Sequence, residues 1–332
     1  MLFWGFLDCL EDEILAKRNR KCRLIVDSCC DLPADLVESF DVDVLHFTYI
    51  MDDGEHVDDM WTSMTSHDFY ERMRKGEQPS TSQVPYGAIH QMFERVAREG
   101  TPTVYVCFTS GLSGAYESMV SIWEDMQGEY PDFEMHIVDC KLASAAEGLL
   151  VMEAVRQLDK GLSAAELADW VDEAHNYVHG YFTLDGLETL HRGGRIPDMA
   201  AVAGAKLDIK PILTFDMDGA LAFFGAARGR KKSIKQLLQI FEDRFDANAN
   251  NTVMVVSADA VKEQNSLTEQ LLNMPYELSL WETSIGPVIG SHVGPDMIAI
   301  VFWGPDRRQS ISLTDRIAKA VSSRMNSKGN TE

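Results

Sequence analysis

The 332-residue chain is short of positive charge, of paired cysteines, of long apolar runs and of nucleotide-binding loops. Its 30 Lys and Arg stand against 52 Asp and Glu, a formal net charge of -22 that repels a phosphate backbone, so nucleic acid is excluded as a partner for the chain as a whole. Six cysteines (Cys9, Cys22, Cys29, Cys30, Cys107 and Cys140) show no CxxC spacing, and several lie in apolar runs. This pattern fits free thiols in a reducing cytoplasm better than a disulfide framework or a cysteine metal site. The opening MLFWGFLDCLEDE is apolar for only about seven residues, has no leading positive cluster and runs into acids, so it matches neither a signal peptide nor a membrane span. Neither GxGxxG nor GxxxxGK[ST] occurs, and there is no HExxH, which removes a nicotinamide fingerprint, a Walker loop and a zinc-hydrolase helix.

With 45% hydrophobic and 25% charged residues, what remains is the composition of a globular protein, long enough for two domains. The first half repeats one pattern: a short apolar run, a polar turn, an amphipathic helix. CRLIV leads through DSCCDLP to ADLVESF, TVYVCF through TSGLSG to AYESMVSIWEDM, and MHIVD to a small-residue helix near ASAAEGLLVMEAVRQL. Strands alternating with helices predict a doubly wound, mostly parallel sheet, with ligands at the carboxyl ends of its strands. Ile89, Met92, Phe93, Val96 and Ala97 form one helical stripe, and Ser163 with Glu166 forms a capping box opening a helix that runs to about His175. Then the pattern changes: GYFTLDGLETL, KPILTF, ALAFFGAA, TVMVVSA and MIAIVFW read as strands with fewer helices between them. The expected organisation is an N-terminal extension over 1–21, with an amphipathic helix carrying Phe3, Phe6, Leu7, Leu10 and Ile14; an α/β domain over 22–175; a second α/β domain, a mixed sheet with helices, over 176–304; and a partly helical tail over 305–332. The extension is expected to dock on protein surface, with transient membrane contact as a further option.

Ser113 and Gly114 fall where a strand becomes a helix, a place where backbone N–H groups attract carboxylate or phosphate, and where serine also serves as a plain cap. The glycines Gly111 and Gly114 around Ser113 favour the anion reading, because glycine lets a backbone approach a ligand. A nucleophile elbow needs G-x-S-x-G, and GLSGA ends in Ala115 instead. Asp139 and His292 nevertheless follow Ser113 in hydrolase order, so a serine hydrolase acting on an ester stays open. Thr81 and Ser82 of PSTSQVP precede a helix and either cap it or face a cleft. His292 of HVGPDM reads as a turn residue that donates to an anion or is simply solvated. HRGGRIP offers Arg192 and Arg195 to an oxyanion. ARGRKKSIK concentrates positive charge at a strand-to-helix junction, and between Thr189 and Lys235 nine Lys or Arg oppose four Asp.

In chain order, IVDSCCDLP, STSQVP, TSGLSGAYES, HIVDC, LETLHRGGRI, IKPIL, ARGRKK and IGPVIGSHVGPDM resemble the DegV family of bacterial lipid-binding proteins, from Cys22 to Gly304. The resemblance implies two α/β domains with a tunnel near their interface for one long-chain fatty acid, bound as a ligand and with no cofactor. It also implies a non-enzymatic subunit that presents the acid's carboxylate to a separate ATP-binding kinase subunit, which makes the acyl phosphate for phospholipid synthesis. Thr81, Ser113 and His292 look like the carboxylate-holding set, with Ser82 and Gly114 beside them, and Arg195 is similar to a further residue at that end. Arg228, Arg230 and Lys231 look like the strip that meets the kinase. A carrier of a different amphiphile is the remaining alternative. The chain departs from the family's pattern at Ala115 of LSGAY, where LSGTY is usual, and at Asp296 of HVGPD, where glycine is usual. Asp296 is expected to raise the pKa of His292 or to weaken binding of an acid.

Overall fold

In the computed structural model, residues 19–196, 208–246 and 250–309 are described. The predicted N-terminal amphipathic helix and the helix-like LTDRIAKAVSSRM lie outside them.

Four strands, β1 (Arg23–Asp27), β2 (Asp43–Leu45), β6 (Thr103–Cys107) and β7 (Met135–Asp139), form a parallel sheet in the order β2-β1-β6-β7. β1 is buried from Leu24 through Asp27 and β6 throughout, as expected when helices cover both faces of a parallel sheet. The predicted helices follow their strands: α1 (Ala34–Phe40), α3 (Tyr86–Glu99), α4 (Ala115–Gln127), α5 (Ala145–Asp159) and α6 (Ala164–Ala174), with α2 (Ser66–Arg74) between the first two. α3 buries Ile89, Phe93, Val96 and Ala97, and α6 starts at the Ser163–Glu166 capping box.

The second sheet is mixed, in the order β10-β9-β8-β13-β11-β12, from β8 (Val178–Thr183), β9 (Ile209–Phe215), β10 (Leu221–Arg228), β11 (Thr252–Ser257), β12 (Ser279–Ser284) and β13 (Ile298–Trp303). Only β11 and β12 pair parallel; the other neighbours are antiparallel. Here the sequence reading needs correction. LETL is not strand: Leu187 is the N-cap and Glu188–Leu190 the start of the short helix α7 (Glu188–Arg192), and α8 (Arg230–Arg244), α9 (Val261–Leu272) and α10 (Pro287–Val293) keep helices between strands in this half as well. A small antiparallel sheet of β3 (Thr48–Met51), β4 (Gly54–Val57) and β5 (Ser80–Ser82) was also not anticipated.

The two halves share a core. α5 buries Ala145 through Met152 without a break, the signature of a helix surrounded by protein, and touches β1 on one side and β8, β11 and β13 on the other. Gly148 permits this, since a Cβ there would stand 2.5 Å from the Cys30 carbonyl oxygen. α10 returns from the second half to pack on β3 and β5 of the first. Cys22, Cys29, Cys30, Cys107 and Cys140 are free and buried, as small apolar side chains.

Candidate functional site

Where the halves meet lies a cavity of about 380 Å³, within the ~300–1,000 Å³ range of small-ligand sites. Its body is apolar and drawn from both sheets, including Phe108, Phe182, Phe215, Leu221, Ile289 and Val301. Thr81, Ser82, Ser113, Gly114, Arg195 and His292, six candidates scattered over more than two hundred positions of sequence, all line it. Ser82 and Gly114 are exposed and the other four half-buried, so the polar end opens at the surface.

Thr81 reaches the site from β5, whose register sets it opposite Tyr49. It caps nothing: α3 begins after Pro85 with no side-chain cap, and Thr81 Oγ1 is instead hydrogen-bonded to His292 Nε2 at 2.8 Å. Ser113 lies in the turn after β6, where its Oγ accepts from the Ala115 amide at 3.2 Å. Gly111 has a different role from the one expected. A Cβ on it would stand 2.4 Å from Gly219 and 2.5 Å from Ala220, so it lets the turn dock against the β9–β10 hairpin of the other sheet.

His292 is not a turn residue. It occupies the last turn of α10, and burial, reinforced by Arg195 and Arg192, lowers its pKa to about 4, leaving a neutral imidazole at pH 7. The expected rise of the His292 pKa through Asp296 is overturned, because that carboxylate is paired with Arg74 at 2.7 Å and the histidine's pKa falls. Asp296 has φ 66°, a left-handed conformation that suits glycine and that Asp tolerates. Arg195 donates from Nε to the Leu112 carbonyl at 3.2 Å and from Nη1 to the Gly193 carbonyl, tying the HRGGRI segment to the Ser113 turn. Sequence reasoning missed why this segment needs its first glycine: a Cβ on Gly193 would stand 2.5 Å from His292 Nδ1. It also missed Gln83, which lines the cavity and accepts from the Ser118 hydroxyl at 2.9 Å. Only its place next to Ser82 signalled it.

The hydrolase constellation is not assembled. Asp139 binds Lys141 Nζ at 2.6 Å and the Ser110 amide at 3.2 Å, and no carboxylate among the described residues is hydrogen-bonded to His292. The remaining candidates lie away from the cavity lining. Arg228 and Lys231 are exposed at the end of β10 and the start of α8. Arg230 turns inward, donating to the Asp296 carbonyl and approaching Asp185 at 3.8 Å, so it ties the fold rather than extending the exposed strip.

No helix among the described residues is long and apolar enough to cross a membrane. Residues 21–304 match the family described as "Uncharacterised protein, DegV family". A DegV domain-containing protein of Clostridium perfringens is 36% identical over 285 residues, covering 86% of this chain and 98% of its own. Among solved structures, a stearic acid-binding protein from Eubacterium ventriosum is 27% identical with a TM-score of 0.74, covering 85% of this chain and 98% of its own. A DegV lipid-binding protein from Thermotoga maritima is 26% identical with a TM-score of 0.72, covering 86% and 99%. The matched region contains both large sheets and every segment lining the cavity, and the chain belongs to the DegV family.

Proposed function

We propose that this chain binds one long-chain fatty acid, with its acyl chain in the apolar cavity and its carboxylate at Thr81, Ser82, Ser113, Gly114, His292 and Arg195. The observation that carries this reading is the convergence of these six residues on one polar end of one apolar cavity. Each CH₂ withdrawn from water contributes ~0.8 kcal/mol, so about sixteen carbons supply more than ~10 kcal/mol before the cost of association. The carboxylate contacts then fix direction. Arg195 offsets the charge, the hydroxyls of Thr81 and Ser113 donate, and the neutral His292 orients Thr81.

The acid's carboxylate end would lie at the surface, because the polar lining is exposed or half-buried while the apolar lining is internal. That arrangement suits presentation to a second protein, and the proposed partner is a separate ATP-dependent kinase subunit that forms the acyl phosphate. The exposed Arg228 and Lys231 are its proposed docking residues, and the chain by itself is proposed to be a carrier and not a catalyst. The relatives with bound fatty acids support the ligand class.

Mass spectrometry of lipid extracted from the purified protein tests the reading. A long-chain fatty acid in stoichiometric amount is expected. A chain that carries no acyl group and takes none up would overturn it, and recovery of a different amphiphile would replace the ligand. Labelling of Ser113 by a fluorophosphonate would restore the hydrolase.

A further inference from the structure

Burying a carboxylate is costly unless donors or a cation compensate it. Asp27, Asp31, Asp58 and Glu147 are each at most 4% exposed, and no Lys or Arg among the described residues is paired with any of them. The four are compensated in two ways. Asp27 accepts from the amides of Cys29 at 3.0 Å and Phe108 at 2.8 Å and from the Tyr105 hydroxyl at 3.2 Å. Glu147 beside it lines neither cavity and is pushed well up by burial and by Asp27, whose carboxylate it meets in a side-chain hydrogen bond in which Glu147 is the donor.

Asp31 and Asp58 lie instead in the wall of a cleft, with little of either side chain accessible. They line a second cavity of about 450 Å³, together with Ser28, Trp61, Glu282 and Thr283. Asp31 Oδ2 accepts from the Ser144 hydroxyl and Asp58 Oδ1 from the Met60 amide, and the Gly286 amide and the Ser28 hydroxyl also face Asp31 and Asp58, yet Asp31 Oδ1 and Asp58 Oδ2 are buried with no well-formed hydrogen bond. A Cβ at Gly286 would stand 2.3 Å from the first of these oxygens and 3.6 Å from the second, so both face one small volume that a glycine keeps open. Trp61 Nε1 is also buried without an acceptor.

We propose that this second cavity is a site for a hydrated divalent cation of the Mg²⁺ class, held by Asp31 and Asp58. Every polar side-chain donor to the ion is oxygen, the choice of a hard cation, and Mg²⁺ typically uses one or two carboxylates while keeping several waters. Two charges on the ion balance two carboxylates, its retained waters fill the remaining space, and one of them supplies the acceptor that Trp61 lacks. The net charge of -22 raises the local concentration of cations.

The full-length chain, stripped with EDTA, is titrated with Mn²⁺ and bound ion counted by electron paramagnetic resonance, with Mg²⁺ competing. One ion per chain is expected. Asp31→Asn and Asp58→Asn each weaken binding at least ~10-fold, the equivalent of ~1.4 kcal/mol. Asp259→Asn leaves the count unchanged: its cluster with His67 and Glu71 on the surface is already occupied by the Arg74 guanidinium, which donates to both Asp259 and Glu71. Terbium emission sensitised by Trp61 is lost in Trp61→Phe while the Mn²⁺ count holds. Mg²⁺ also raises the melting temperature of the unaltered chain above that in sodium chloride of equal ionic strength, a measurement that needs no variant. No bound ion at millimolar Mn²⁺, no melting shift, binding that survives the double Asn variant, or loss of binding in Asp259→Asn would each overturn the proposal. None of these readouts involves the fatty acid, so they stand apart from the proposed function.

Discussion

The two cavities are separated by one hydrogen bond, from Ser144 to Asp31, and are opposite in chemistry. Ser144 lines the apolar cavity, whose polar end offers hydroxyls, a neutral imidazole and a guanidinium. Asp31 lines the other, which offers carboxylates and no cation. Both are built at the carboxyl ends of neighbouring parallel strands, β6 with its TSGLSG turn and β1 with its DSCCD turn. The fold places sites at such strand ends, and the side chains in each turn decide which sign of charge is received.

Charge reversal at the mouth of the first cavity should break the contrast most strongly. Arg195→Glu puts a carboxylate against a carboxylate, and fatty-acid affinity in a direct binding titration should fall by ~100-fold or more, since hydrogen bonds to charged groups contribute ~1.5–3 kcal/mol before any repulsion is added. Deleting one donor is gentler. Ser113→Ala and Thr81→Val should each cost about 10-fold in affinity, with a melting temperature within a few degrees of the unaltered chain. Equal losses of stability and binding would make both residues structural.

Acid and base sensitivity should separate the two sites by sign. His292 has a folded pKa of about 4 against ~6.5 unfolded, so only the unfolded chain gains its proton as pH falls through that window, and the histidine costs stability on acidification. Asp58 has a folded pKa of about 7 against ~4 unfolded, so in cation-free protein it costs stability as pH rises from ~4 to ~7. Melting curves across pH 4–8 should therefore show His292→Gln flattening the acid limb and Asp58→Asn flattening the neutral limb. A same-sign response would refute one assignment. The smallest effect belongs to the exposed strip. Arg228→Glu with Lys231→Glu should leave lipid content unchanged and stability within ~0.5 kcal/mol while impairing turnover by the proposed kinase subunit. Loss of lipid would move those residues into the cavity wall.

Local pattern was legible wherever local physics decides it. The Ile89–Phe93–Val96 stripe, the Ser163 capping box and the β1, β6 and β7 strands needed only periodicity and caps, which a window of a dozen residues contains. The short helices α7 and α10 were misread, because five or seven residues hold too little periodicity and their form is set by packing on other elements. The identity of the site residues was legible through motif resemblance, but their relations were not. Thr81 and His292 meet across 211 positions, and Thr283 reaches the Asp31 carbonyl across 252. Gly111 and Gly193 looked like ligand-approach or loop glycines until the atoms facing them, the Gly219 backbone and the His292 ring, were known.

The sequence by itself determined the elements of the first half, the free buried thiols and the stock of hydroxyls, arginines and carboxylates, because these follow from residue type and from neighbours a few positions away. Tertiary structure alone decided that α5 is shared by both sheets, that Asp296 spends its charge on Arg74 and not on His292, and that Asp31 and Asp58 stand together with no Lys or Arg paired to either among the described residues. Each of these depends on contacts closed over long loops, where burial and the nearest charge, rather than sequence neighbours, set the electrostatics.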